Sequence, residues 1–143
     1  MPAVFEYQHT VRADEIDAHG HVNNVNYIRW MQSAAVAHSA AQGWPTERYE
    51  QARLGWVARR HEIDYLQPAF DGDLIIVRTW IADFRKITSW RRYRILRPAD
   101  NVLLATAQTN WAFLNLETRM PTRIPANLAS EFQAVEGDDP HLH

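Results

Sequence analysis

The chain has 143 residues, 46% of them hydrophobic and 22% charged, with a formal net charge of −2 and no cysteine. These values fit one soluble domain with a sizeable core, expected over residues 1–134, with a flexible polar tail over 135–143. Slight acidity argues against a nucleic-acid binder, and the lack of cysteine excludes disulfides, thiolate nucleophiles and Cys-ligated zinc.

The first residues, Met-Pro-Ala-Val-Phe-Glu, have no basic region leading into an apolar stretch, so no secretory signal is expected. No apolar run approaches the ~18 residues of a membrane span, and cytoplasmic residence without membrane association follows as the default. From Val4 to Ala13, Phe5, Tyr7, His9 and Val11 alternate with polar residues, which predicts a strand. A loop follows from Asp14 to Asn23. Asn23 or Asn24 then supplies the N-cap of a helix running to about Gln42, where Gly43 and Pro45 stop it. Its apolar residues, many of them alanine, cover most of its circumference, and this predicts burial on all sides.

After a linking segment to about Leu54 the pattern is strand throughout: Gly55–Tyr65, Leu74–Asp83, Ile87–Leu96 and Val102–Asn115. Phe70-Asp71-Gly72-Asp73 carries an Asp-Gly hairpin signal, and Arg97-Pro98-Ala99-Asp100-Asn101 reads as a turn. A short helix is expected from Pro125 to about Gln133. The order is strand, helix, then four strands whose short connections require antiparallel pairing. The simplest arrangement is α+β, a curved five-stranded antiparallel sheet wrapped around a long central helix. Its free edges and uncovered face predict self-association. The terminal histidines His141 and His143 are expected to be solvated.

The chemistry concentrates in Asp17-Ala18-His19-Gly20-His21-Val22-Asn23-Asn24, just ahead of the long helix. Asp17, His19 and His21 sit at i, i+2 and i+4, so an extended chain would point them to one side. Metal binding is one reading, but Gly20 interrupts the geometry, no fourth ligand is spaced for it, and we expect no metal. A second reading makes Asp17 and the asparagines turn and cap residues. A third is acyl chemistry: Asp17 as general base on water or as nucleophile, a helix-start amide near Asn24 polarising the carbonyl, and His21 or His19 orienting the partners. A carboxylate is a weak base at neutral pH, which suits an activated thioester better than an amide.

The stretch Glu15-Ile16-Asp17-Ala18-His19-Gly20-His21-Val22-Asn23-Asn24-Val25-Asn26-Tyr27-Ile28-Arg29-Trp30 resembles the signature of hotdog-fold thioesterases of the 4-hydroxybenzoyl-CoA thioesterase type. Glu62-Ile63-Asp64-Tyr65-Leu66-Gln67-Pro68-Ala69, followed by Gly72-Asp73-Leu74, is a second match in the correct order. Together they span about residues 5 to 115. The resemblance implies a hotdog fold assembling as a homodimer or homotetramer with active sites at the dimer interface. It implies Asp17 as the catalytic carboxylate, the Asn24 amide on the thioester carbonyl, and His21 in a positioning role. Substrate binding would involve His19, Gly20 and Tyr27, with Arg85 and Lys86 toward the CoA phosphates. No cofactor is implied beyond the CoA thioester as substrate. Glu15 stands where the family commonly has Asp. The run His19 to Tyr27 is also similar to acyl-ACP thioesterases, with His19 in the place of an Asn, so acyl-CoA and acyl-ACP both stand as substrates. Hydration of an acyl thioester, or non-catalytic acyl-carrier binding, are the other activities such a pocket can serve. The six tryptophans, Trp30, Trp44, Trp56, Trp80, Trp90 and Trp111, supply core or an aromatic pocket wall.

Overall fold

The structure, a computed structural model, describes residues 4–134. The tail assigned to 135–143, with His141 and His143, lies outside the described residues. The elements are β1 (Phe5–Thr10), α1 (Asn24–Ala41), α2 (Thr46–Ala52), β2 (Leu54–Tyr65), β3 (Leu74–Phe84), β4 (Thr88–Arg97), β5 (Val102–Asn115), β6 (Met120–Pro121) and α3 (Ala126–Glu131). The five long strands form one antiparallel sheet in the order β1-β3-β4-β5-β2, and the two residues of β6 pair antiparallel with the end of β5. Register shifts at Ala58/Arg60, Ile81/Asp83 and Ile95/Leu96 bend the strands, because a bulge kinks its strand and sharpens its twist. The result is the curved sheet around a helix that the chain order predicts.

Both ends of α1 follow from their residues. The Asn23 side chain accepts from the Val25 N–H at 3.2 Å, so the cap is Asn23, and Asn24 is the first helical residue. At the other end Gly43 has φ +95, the Gly43 N–H bonds Ala40 O at 3.1 Å, and the Trp44 N–H bonds Ser39 O at 2.9 Å. That pair of bonds around a left-handed glycine is a Schellman stop.

Three expectations need correction. The Asp-Gly turn forms, with Gly72 at φ +84 and the Asp73 N–H on Phe70 O at 3.0 Å, but it closes no hairpin. The strands it joins lie apart, since β2 pairs with β5 while β3 sits between β1 and β4. The segment Thr46–Ala52 is a helix, and none of its residues is buried, so no apolar period announces it. Finally, α1 is buried on one side only. Asn26, Tyr27, Trp30, Met31, Ala34 and His38 are covered, while Val25 and Val36 are 48% and 56% exposed. The sheet curves around one face, and the helix's other alanines and valines meet no second layer in the single chain.

Two clusters hold the fold. One joins Tyr27, Trp30, Met31 and Ala34 of α1 to Ile75, Val77, Tyr93, Ile95 and Leu104 of the sheet. The other gathers Trp44, Ile81, Phe113, Ile124, Leu128 and Phe132 at the far end of the sheet, under α3. No helix among the described residues is long and apolar enough to cross a membrane.

Between the clusters α1 buries His38 against Phe5 and Phe132, with Arg91 Nη1 on its Nδ1 at 2.9 Å and the Gln42 amide facing its Nε2 at 3.4 Å. Burial, and then the Arg91 charge, hold its pKa down from 6.5 to about 3. Arg91 donates only, so neutral His38 accepts at Nδ1 and carries its proton on Nε2, which Gln42 can accept only by turning its amide oxygen rather than its NH2 toward the ring. An unfolded His38 takes a proton near 6.5, whereas the folded one resists until about 3. Stability therefore falls as pH drops through that window, and half-buried His61, also lowered by burial, adds in the same direction. Urea unfolding should show His38→Gln, which keeps an acceptor for Arg91, losing less stability than wild type between pH 7 and 5. Equal losses would remove His38 from the account.

Candidate active site

The segment from Ile16 to Val22 is a closed turn. Ile16 and Val22 form an antiparallel bridge, the Asp17 N–H bonds His21 O at 2.9 Å, and the Gly20 N–H bonds Asp17 O at 3.1 Å. The expected loop therefore folds back at Gly20 instead of running extended, so Asp17, His19 and His21 do not share one side as an extended chain would have them, and the two imidazoles stack with centroids 6.1 Å apart. Among the described residues no group of three or more His, Cys, Asp or Glu is gathered closely enough to hold a metal ion.

Gly20 makes the reversal with φ +85, and a Cβ there would meet nothing within 4 Å. Its requirement is conformational rather than steric. Gly20→Ala is expected to cost about 1–2 kcal/mol, the penalty of a left-handed conformation for an L-residue, read as a shift in the urea midpoint. An unchanged midpoint would show that the turn relaxes without strain.

Asp17 is half-buried in this turn, and its Oδ1 accepts the His19 N–H at 2.9 Å. The bond fixes the carboxylate relative to the backbone, and among the described residues Oδ2 has no hydrogen-bond partner. The turn leads through Val22 directly into α1. There the Val25 N–H is taken by the Asn23 side chain and the Asn26 N–H by Asn23 O at 3.0 Å. The Asn24 amide is the first-turn donor left by these caps, at the positive end of the helix. His21 Nδ1 lies 3.4 Å from Val22 O, a weak contact that leaves its ring facing the turn's half-exposed side.

The turn is anchored by residues whose role the motif alone does not give. Glu15 is only 4% exposed; its Oε1 accepts from His9 Nε2 at 2.7 Å and the Arg12 N–H at 2.9 Å, and its Oε2 from Trp30 Nε1 at 2.9 Å. Burial alone would raise its pKa, but the bonds from Arg12, His9 and Trp30 outweigh it and hold the carboxyl below its usual value. Buried Asn26 donates to Glu15 O at 3.2 Å and Asn23 O at 3.3 Å. The Val22 N–H bonds Ala69 O at 2.9 Å, and Tyr65 donates its hydroxyl proton to Asn24 O at 3.3 Å. These last two bonds bring the second sequence motif onto the first.

Other predicted site residues lie elsewhere. Tyr27 is 3% exposed, edge-on to Tyr65 at 5.1 Å and part of the main core, and burial raises its phenol pKa. Arg85 and Lys86 occupy the β3–β4 turn, at the other end of β3 from Asp73, which bonds the Val11 N–H, and from Ala69, which bonds the Val22 N–H at the end of the Asp17 turn. The eleven residues of β3 extend about 33 Å at ~3.3 Å per residue. Within one chain Asp17 and these cations are therefore at opposite ends. Nor does the basic stretch form a single patch. Strand alternation sends neighbours to opposite faces: Arg91 is buried, Arg85 pairs with Asp83 at 3.2 Å, and Arg97 pairs with Asp73 at 3.0 Å and Asp100 at 2.9 Å.

The chain is similar to known proteins. The model of the thioesterase-like superfamily matches residues 11–132. The acyl-CoA thioester hydrolase YbgC of Escherichia coli is 22% identical over 130 residues, which cover 91% of this chain and 96% of that protein. A chloroplastic palmitoyl-acyl carrier protein thioesterase of Cuphea hookeriana is 23% identical over 143 residues, 96% of this chain; the match spans only about a third (34%) of that longer protein. Among solved structures, Slr0204 of Synechocystis, a 1,4-dihydroxy-2-naphthoyl-CoA thioesterase, superposes with a TM-score of 0.82 at 20% identity, over 90% of this chain and 94% of its own. The chain thus belongs to the thioesterase-like superfamily, with the hotdog fold and thioester hydrolysis as its class of chemistry.

Proposed function

We propose that the protein hydrolyses an acyl-CoA to a free acid and CoA, with Asp17 as general base or nucleophile. The observation that carries the reading is the Asp17 carboxylate, fixed through one oxygen by the His19 N–H in a turn that runs into the start of α1. A carbonyl placed between Asp17 and the Asn24 amide has a nucleophile or base on one side and a donor at the helix's positive end on the other. Charge developing on the carbonyl oxygen is then stabilised by a donor already in position. His21 serves as a positioning group beside them.

The second reading, an acyl-ACP substrate, is favoured by the similarity to the palmitoyl-acyl carrier protein thioesterase along 96% of the chain. Free-thiol release from short, long and aromatic acyl-CoAs, run beside the same acyl groups on acyl carrier protein, decides between them. Turnover of neither, with ligand still bound, would favour an acyl-carrier binding protein.

The active unit in this proposal is a homodimer or homotetramer. β1 and β2 are the edge strands, and the twelve residues of β2 offer a long ladder of unpaired backbone groups. Val57 on β2 and Val25 on α1 are 46% and 48% exposed beside it. A partner also supplies a way for Arg85 and Lys86 to meet substrate bound at another chain's Asp17. Light scattering is expected to return at least twice the mass of one chain, and a monomer would refute this assembly.

A further inference from the structure

The segment 65–73 touches the site twice. Tyr65 reaches Asn24 O at the start of α1, and Ala69 O takes the Val22 N–H at the neck of the Asp17 turn. β2 ends at Tyr65 and β3 begins at Leu74, so residues 66–73 belong to no strand. Their backbone is tied at both ends. The Leu66 and Gln67 N–H groups share Leu104 O at 2.8 and 3.2 Å. At the other end the Gly72 N–H bonds Val11 O at 2.9 Å, and the Val11 N–H bonds Asp73 O at 2.8 Å. Pro68 and Ala69, which carry the contact to Val22, lie between these ties.

Arg97, the last residue of β4, holds that interval. Its side chain is 16% exposed, and its Nη1 donates to Pro68 O at 3.1 Å and to Asp73 Oδ2 at 3.0 Å. The same Asp73 oxygen accepts the Phe70 N–H at 2.9 Å. Ala69 is therefore flanked by two residues whose backbones are tied to one guanidinium, Pro68 directly and Phe70 through Asp73. The other edge of Arg97 fixes its plane. Nε bonds Asp100 Oδ1 at 3.0 Å and Oδ2 at 3.2 Å, and Nη2 bonds Oδ2 at 2.9 Å. These bonds from Arg97 hold the Asp100 carboxyl below its usual range. A planar fork can serve two carboxylates and a carbonyl at once; the ammonium of lysine, a point charge with three donors, cannot match that geometry. Every bond of this brace lies within one chain, and Arg97 belongs to neither sequence motif.

We propose that Arg97 is a positioning residue for the Asp17 site: through Pro68, Asp73 and Phe70 it sets the Ala69 carbonyl that holds Val22, and through Val22 the turn that carries the carboxylate. A misplacement of ~1 Å caused far from the chemistry can cost ~10²-fold in rate, so a loosened brace is felt in turnover. That effect on turnover rests on the proposed function, whereas the brace itself does not.

Thiol release from the acyl-CoA that the wild type turns over fastest tests the effect, at a temperature where circular dichroism shows each variant folded. Arg97→Lys, which keeps the charge, is expected to lower kcat at least fivefold with KM within about twofold, the mark of a lost positioning effect rather than lost binding. Arg97→Ala should lose more and recover part of its kcat in methylguanidinium. In an Asp17→Asn background Arg97→Lys should change the residual rate by less than about twofold, because the turn then carries no carboxylate to misplace. Hydrogen exchange needs no turnover: the Val22 amide should exchange at least tenfold faster in Arg97→Lys while the Ile95 amide of β4 keeps its rate. The inference is overturned by wild-type kcat in folded Arg97→Lys, by a loss confined to KM, by a fivefold loss that persists on top of Asp17→Asn, or by unchanged Val22 exchange. Full turnover in Asp17→Asn, or none in the wild type, would end the Asp17 reading instead, and Val22 exchange then decides the brace alone.

Discussion

Asp17→Asn is expected to lower kcat for thioester hydrolysis by about 10²–10⁴, the usual contribution of a positioned general base, while the protein remains folded. The second half of that statement comes from the turn's geometry. Asn retains an Oδ1 that accepts the His19 N–H now bonded at 2.9 Å, so the Asx bond and the approach to α1 persist. Urea unfolding should therefore place the variant within about 0.5 kcal/mol of wild type, the range of a substitution that disturbs no special feature. Asp17→Ala removes that acceptor as well and should lose about 1 kcal/mol more. Loss of turnover in the folded Asn variant thus isolates the carboxylate's chemistry from its structural bond. Pre-steady-state kinetics then separate its two roles: thiol released ahead of acid marks an acyl-Asp intermediate, and simultaneous release marks a base acting on water. Comparable turnover in wild type and Asp17→Asn would end the assignment.

The parts of this fold that were legible in the sequence are those set by local periodicity and caps. β5 runs Val102–Asn115, the bounds expected from the sequence, and α1 ends at a Gly43 whose φ of +95 only glycine adopts without strain. What was not legible depends on partners distant in sequence. The Asp-Gly turn at Gly72 has the local chemistry of a hairpin, yet β2 is drawn away to β5, where eleven residue pairs replace the hairpin ladder. The apolar circumference of α1 said nothing of how far the sheet would wrap. The basic stretch from Arg85 to Arg97 is continuous along the chain, but strand alternation buries Arg91 while its neighbours lie on the other face. At the site, Asp17, Asn23 and Gly20 were readable because turns and caps are local. The bonds from Tyr65 and Ala69 that seat the loop come from a segment more than forty residues on, and its signal was the second motif as a whole, not either residue.

Glu15 shows how the same loop is held. Removing its side chain is expected to be the most destabilising change at the site. Glu15→Ala leaves the Trp30 Nε1–H and the Arg12 N–H without acceptors and removes the hydrogen-bond partner of His9 Nε2. An unsatisfied buried donor costs about 1–3 kcal/mol, so a loss of about 4 kcal/mol follows from the two donors together. Glu15→Gln separates charge from shape. Whichever way its amide turns, an NH2 faces one of those N–H donors, so about 2 kcal/mol should be lost without a cavity. Aspartate, common at this position in the family the motif resembles, is one methylene shorter; here the longer arm reaches from the loop to the first turns of α1, fifteen residues on. The pH dependence has a definite sign. The folded pKa lies below 4.5, so the unfolded chain takes up this proton first, and the contribution of Glu15 is present above pH 4.5 and fades as pH falls through the folded value. Wild type should therefore lose more stability than Glu15→Gln on going from pH 5 to 3. Because Asp17 sits two residues beyond this anchor, kcat should also fall in Glu15→Gln at temperatures where it is fully folded. An alanine variant within about 0.5 kcal/mol of wild type would mean that the network is dispensable and that the Asp17 turn is held from the Ala69 side alone.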